Sequence, residues 1–385
     1  MKTVMALLLV LQFAQRPPLT PAETLLEPVI LRAINEQPSG GESISLIEGA
    51  DQAAGEILII CRDCTVATHA MQKLHHLIKE KGMPAPARTI RRITGGTGPD
   101  AARQAKAAIF IAQDQGRPIQ VVRGLWSTAG VADEVVEIFG RYGAYHIEVK
   151  PFENLGQLPL DFLGVPTTTI VANPAMSNQH AAFVAAASAY FLATLPNAGA
   201  EALLSHLTVG AHARLAEDGR RAVAMMGSQQ RASGEVLILL GQAIEREQRR
   251  MRDFERYMPA PVDPMLRGRI VEMQKAITSV WTSMGITSSP FIPAAERLRG
   301  RAGEDRRVPT RTNTLWREPD GEVVTALRKL PNWRDVTYEL VSLVDGSRTL
   351  SDIRDLVSAE FGAVPLPAVV EYFEKLAQAG VVSFR

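Results

Sequence analysis

Residues 151–195 read PFENLGQLPLDFLGVPTTTIVANPAMSNQHAAFVAAASAYFLATL, and two patterns in this stretch decide the fold. Val165 to Val171 is a short, β-branched, apolar run, which predicts a strand buried on both faces. Asn178 to Leu195 is rich in alanine, carries the aromatic pair Tyr190 and Phe191 and has no charged residue, which predicts a long helix packed against that strand. A buried strand feeding a buried helix requires stacked layers, and so an α/β architecture.

Working outward, the same alternation continues upstream. Leu25 to Ile34 reads as a helix, Glu56 to Ile60 as a buried strand, and Thr65 to Lys81 as an amphipathic helix ended by Gly82 and Pro84. Arg88 to Ile93 reads as a strand, Pro99 to Gln113 as a helix, Ile119 to Arg123 as a strand, Ala132 to Tyr142 as a helix and Tyr145 to Val149 as a strand. The pattern predicts a mostly parallel sheet flanked by helices over residues 19–198. Residues 199–290 lose the strand signal and carry long charged amphipathic segments, Glu201 to Arg221, Gly234 to Tyr257 and Pro264 to Met284, so a helical region is expected. A linker rich in Pro, Gly and Arg follows over 291–331. Residues 332–385 form a last domain of three short helices, Trp333 to Val344, Leu350 to Phe361 and Pro365 to Ala379, closed by the strand signal VVSF.

The chain has 385 residues, 46% of them hydrophobic, with 42 basic against 41 acidic side chains and a net charge of +1. That balance points to neither nucleic acid nor an anionic membrane as partner. The basic run Arg246 to Arg252 lies among Glu245, Glu247, Asp253 and Glu255 at helical spacing, which predicts a solvated, salt-bridged face. Residues 1–18 combine Lys2, the apolar run Val4 to Leu11 and then Pro17 and Pro18, which reads as a short secretory signal; a native buried helix is the alternative. Export to a periplasmic or extracellular space follows from the first reading, and no other apolar stretch is long enough to span a bilayer.

Several segments, in order, resemble the latter half of the catalytic domain in secreted zinc aminopeptidases of the glutamate-carboxypeptidase and transferrin-receptor type. They are GEILIICRDCTVATHAMQKLHHLI, PFENLGQLPLDFLGVPTTTI, AAASAYFLATL and RRVPTRTNTLWR. The resemblance implies the α/β fold but not the activity. Two zinc ions need two imidazoles and three carboxylates, with a further Glu as base. The family's early His-x-Asp, its later Asp and its Glu-Glu pair have no counterpart here. Asn154 to Leu158 replaces its Ser-Asp-His element, and His180 is the only imidazole near its late His. The final domain is similar to winged-helix modules of pyrroloquinoline-quinone peptide chaperones, in LVDGSRTLSDIRDLVSAEFG and VVEYFEKLAQAGVV. Glu371 and Glu374 against Lys375 on its third helix disfavour phosphate contact and favour packing or peptide binding.

Other residues offer rival chemistry. Cys61 and Cys64, the only two cysteines, stand between a strand and a helix start, where a dithiol can be redox-active or can close as a local disulfide. Gly95, Gly96 and Gly98 could place backbone amides around an anion, although a capped turn explains them better. His146 and Glu148 share one face of a strand and offer two metal ligands without a third. His75 with His76, and His206 with His212, have the wrong spacing to chelate. The expected function is therefore a non-catalytic or partner-dependent peptidase-like protein that binds a peptide or protein and holds no cofactor. A zinc-dependent aminopeptidase with unrecognised or shared ligands is one alternative, and a thiol-disulfide protein using Cys61 and Cys64 is the other. A truncated sheet also predicts an open edge and an uncovered face that a partner would close.

Overall fold

A computed structural model describes residues 44–61, 64–94, 105–113, 119–124, 129–142, 147–150, 165–173, 178–195, 197–228, 233–258, 268, 271–272, 304–312 and 323–385. The signal segment expected over 1–18, the helix expected over Leu25 to Ile34, the turn expected at Gly95, Gly96 and Gly98, Asn154 to Leu158 and His146 lie outside these residues. So does the helix expected over Pro264 to Met284, apart from residues 268 and 271–272, which are helical.

Seven strands form one mixed sheet: β1 (Leu46–Ile47), β2 (Glu56–Cys61), β3 (Thr89–Thr94), β4 (Ala105–Gln113), β5 (Ile119–Val122), β6 (Ile147–Lys150) and β7 (Thr167–Ala172). Their order is β1-β3-β2-β4-β7-β5-β6. The central pairs β3/β2, β2/β4 and β4/β7 are parallel, as is β5/β6, whereas β1/β3 and β5/β7 are antiparallel. The fold is α/β with a mostly parallel sheet. Strand β2 is buried along its whole length because EILIIC is apolar on both pleat faces after Glu56. Glu56 is itself buried and bound by the fork of Arg91 on β3, at 2.6 and 2.8 Å.

Helix α1 (Thr65–Glu80) joins β2 to β3 and buries Ala67, Ala70, Met71 and Leu74, one stripe at helical spacing. It stops at Gly82, which takes φ +72. Helix α2 (Val131–Tyr142) follows β5, and α3 (Asn178–Thr194) follows β7. Helix α3 is apolar all round and is buried from Ala181 through Ala193, as the uncharged sequence requires. Its Tyr190 hydroxyl donates to the Pro84 carbonyl at 2.7 Å, and Phe191 meets Phe139 of α2 edge to face, 5.8 Å between ring centroids. Helices α1, α2 and α3 share one core with the sheet face carrying Ile57, Ile59, Ile109 and Ile170.

The opposite face carries Leu58, Ile60, Phe110 and Val171, and this face corrects an expectation. These side chains are 0 to 4% exposed, so among the described residues this apolar sheet face is covered rather than open. A second correction concerns β4. The alanines of AKAAIFIAQ predict part of a helix, yet Ala105–Gln113 lies between β2 and β7 and pairs with both. Alanine's helix propensity amounts to only a few tenths of a kcal/mol per residue, which two flanking strands readily override. The alanines keep the side chains small where Ala107 and Ala108 are fully buried.

Two long helices, α4 (Asn197–Ser228) and α5 (Ser233–Glu255), pack together beyond the sheet. The carboxyl-terminal part holds α6 (Thr325–Arg328), α7 (Trp333–Ser342), α8 (Leu350–Phe361) and α9 (Leu366–Gln378). The chain assigned to the linker contributes structure here, since β8 (Pro309–Arg311) pairs antiparallel with β9 (Val382–Phe384). Thr349 and Asp352 form a reciprocal cap at the start of α8. Helix α8 packs on α5, Arg348 reaches Glu245 at 3.1 Å, and Arg221 donates to the Glu360 carbonyl at 2.6 Å. No single helix among the described residues is long and apolar enough to cross a membrane.

Candidate functional site

Strands β2, β3, β4 and β7 run parallel, so their carboxyl ends share one edge of the sheet. The chain leaves β2 to form β3 on one side and later returns to form β4 on the other. The strand order therefore switches direction between the ends of β2 and β4, the position at which open α/β sheets usually bind ligands. Cys61 is the last residue of β2, and Cys64 is the N-cap of α1. The two are joined in a disulfide with Cα atoms 5.3 Å apart, and they are 1% and 8% exposed. The cross-link pins the strand end to the helix start, and burial keeps both sulfurs from an incoming thiol. Thr94 ends β3 at the same edge.

The described residues of this edge offer few groups suited to a zinc pair. Among the described residues its side chains are Thr94, Gln113, Asn173 and the disulfide, which are neutral hydroxyl, amide and oxidised sulfur groups. They do not fit a cation that requires imidazole, carboxylate or thiolate ligands. Glu148 on β6 accepts from Gln120 Nε2 at 3.1 Å and lies 4.0 Å from Lys150 Nζ, so its carboxylate is engaged by the sheet's own neighbours. His180 is half-buried at the start of α3, where desolvation lowers its pKa. His76 pairs with Glu80 at 3.1 Å, one turn along its own helix, and His206 lies 3.4 Å from Glu134. No group of three or more His, Cys, Asp or Glu able to hold a metal occurs among the described residues.

The most heavily charged region lies elsewhere and overturns the expectation of a solvated face on α5. Glu247, Arg250 and Asp253 are 0 to 2% exposed. Arg250 Nη1 reaches Asp133 Oδ1 at 2.6 Å and donates to the Gly130 carbonyl at 2.9 Å. Arg214 of α4 binds Glu247 at 2.7 and 2.9 Å and also grips Glu134 of α2. Arg246 links Glu247 to Asp218, and Arg123 pairs with Glu137. Val131 donates its amide to Asp253 at 2.7 Å. Of the charges expected on a solvated face, Glu247, Arg250 and Asp253 instead face inward, whereas Arg249 and Glu245 pair on the solvent side at 3.3 Å. Gly130 is required where these groups converge, because a Cβ there would lie 2.3 Å from Pro166 Cβ and 2.9 Å from Asp253 Oδ2.

Burial opposes ionisation of Glu247, but Arg214 and Arg246 outweigh it and hold its carboxyl down at about 2. Burial likewise opposes the charge of Glu134, and Arg214, His206 and Arg250 hold it well below the usual carboxylate range. At Asp253 burial wins and lifts the carboxyl to about 7, against the pull of the Val131 amide. Every cation named in the network touches a carboxylate, so the cluster binds three elements together and offers no surplus charge to a substrate. Its signal is present in the sequence: Glu247 and Arg250 fall on the same helical stripe as Leu240, Ala243, Ile244, Met251 and Phe254, all buried.

A further cavity of about 480 Å³ opens between residues 304–306 and the first turns of α9, lined by Glu304, Asp305, Arg306, Leu366, Pro367 and Val370. Leu366 and Val370 lie one turn apart on the same face of α9. Asp305 is clasped by the Arg307 guanidinium, at 2.6 to 3.1 Å, and Arg307 also reaches Glu374 at 2.9 Å.

No family model, curated protein or solved structure matches the chain. Function therefore rests on the residues and their geometry. The Cys-x-x-Cys spacing marks the disulfide and its edge of the sheet in the sequence, whereas nothing there marks the cavity, because residues 304–306 fall in a stretch whose composition reads as linker.

Proposed function

We propose that this protein is a non-catalytic or partner-dependent relative of the zinc exopeptidases, which binds a peptide or protein in an exported, oxidising compartment. The observation that carries the reading is the side-chain set at the carboxyl edge of β2, β3, β4 and β7. Among the described residues of that edge, the side chains are a disulfide, a hydroxyl and amides. Binding is supported by the open hollow on the carboxyl-terminal part, where Leu366, Pro367 and Val370 lie beside the mixed charges of Glu304, Asp305 and Arg306, a lining that suits an extended peptide with an apolar anchor. The similarity of that part to peptide-binding winged-helix modules points the same way. The buried disulfide supports export, since such bonds persist in oxidising compartments.

The test is made on dialysed full-length protein, by measuring bound zinc, release of amino acids from peptides with and without a chelator, and retention of peptides on an array. We expect metal-free folded protein, no release, and peptide retention that Val370→Asp abolishes. Near-stoichiometric zinc together with chelator-sensitive trimming would replace this reading with the hydrolase. Absence of both trimming and retention would remove the binding role.

A further inference from the structure

Helix α8 seats the carboxyl-terminal part on the α4–α5 pair, and its last turn carries an acidic side chain that the joint does not match. Glu360 is the penultimate residue of α8, at the end of the helix where the backbone dipole is negative. It is half-buried, and three charged groups face it: Asp218 and Arg221 from α4, and Arg246 from α5. Both cations are already engaged. Arg221 Nη2 donates to the Glu360 carbonyl at 2.6 Å, and Arg246 is shared between Asp218 at 2.9 Å and Glu247 at 2.8 Å. Among the described residues the Glu360 carboxylate makes no hydrogen bond or ion pair, and Asp218 presents it with a like charge. A carboxylate so placed has lost water without gaining a partner, which disfavours its charged form.

We propose that Glu360 is a proton-sensitive latch: uncharged, it lets the last turn of α8 seat on α4 and α5, and on ionising it loosens that seat, so the carboxyl-terminal part is held most firmly in acid. Burial, with Asp218, lifts this carboxyl above its ordinary 4.5 against the pull of Arg221 and Arg246. Because the folded pKa is raised, the stability that Glu360 contributes to the joint is complete below 4.5 and is lost as pH climbs through the folded value. Residues 304–385 contain no histidine, so no imidazole on that side of the joint titrates in the same range. The neighbouring contact of Arg348 with Glu245, at 3.1 Å, is open to solvent and answers to salt instead. The latch concerns how the part carrying the hollow is held, and it stands whether or not that hollow takes a peptide.

The experiment is hydrogen exchange on the full chain from pH 4.5 to 8, corrected for the intrinsic exchange rate and read on α8. One unit of pKa shift is a tenfold change in an equilibrium, so we expect the protection of α8 to fall by about tenfold or more across that range. Glu360→Gln should hold the protection level. Should that variant lose its fold, Asp218→Asn removes the like charge and frees Arg246, and the fall should become shallower. Flat protection in the wild-type chain, or an undiminished fall in either variant, would overturn the inference; a fall kept by Glu360→Gln would place the pH response in the buried network around Asp253. Loss of the pH response leaves the binding reading untouched, and loss of peptide retention on the array leaves the latch untouched.

Discussion

Glu247 and Arg250 occupy positions that a soluble helix normally fills with leucine, and the cluster they anchor gives the stability of this protein two opposed pH limbs. The folded pKa of Glu247 is depressed from 4.5 to about 2, so the stability it contributes is present above 4.5 and is lost as pH falls toward 2. Asp253 is raised from 3.8 to about 7, so its contribution is complete below 3.8 and disappears as pH climbs through 7. A tenfold change in proton affinity between the folded and unfolded chain corresponds to about 1.4 kcal/mol. Urea midpoints measured across pH should therefore rise from pH 2 to 4.5 and then fall toward pH 8. Asp253→Asn should flatten the upper limb while leaving the acid limb in place. At this scale the sequence was legible in residue type but not in direction. Charges at helical spacing read as a solvated face, and only the apolar company of Glu247 and Arg250 marked them as inward-facing.

Among the elements, the strand β2, the helix α1 and the bond that joins them were the most legible, because a continuous apolar run, an amphipathic period and a Cys-x-x-Cys spacing each have few structural solutions. Strand β4 was the least legible. Its alanines are compatible with either a helix or a tightly packed central strand, and the choice is made by neighbours distant in sequence. The Cys61–Cys64 bond closes a very short loop, so its removal through Cys61→Ala with Cys64→Ala is expected to cost about 2 kcal/mol, small for a disulfide. Because both sulfurs are buried, a thiol reagent added after mild reduction should label Cys61 no faster than a free model thiol. Rapid, selective labelling at neutral pH would instead restore the redox reading of this pair.

Across the whole molecule, similar pairing chemistry is used at two depths, and the depths predict different costs. Arg250 meets Asp133 where both are 1 to 2% exposed, whereas Arg348 meets Glu245 with side chains 18% and 38% exposed. Arg250→Ala leaves buried carboxylates without their cation and should cost about 3–5 kcal/mol. Arg348→Ala loosens a solvent-screened pair and should cost less than about 1 kcal/mol in a denaturant titration. The inner network ties α2, α4 and α5 into one unit, and the outer contact tethers the carboxyl-terminal helices to it. The pairing of β8 with β9 reaches across the whole of that part, with Thr310 bonded to Ser383, 73 positions later. During synthesis on the ribosome, Pro309–Arg311 emerges long before the strand that will complete it. Until Val382–Phe384 clears the exit tunnel, that segment is a strand without its partner, exposed to whatever chaperone or nascent neighbour is at hand.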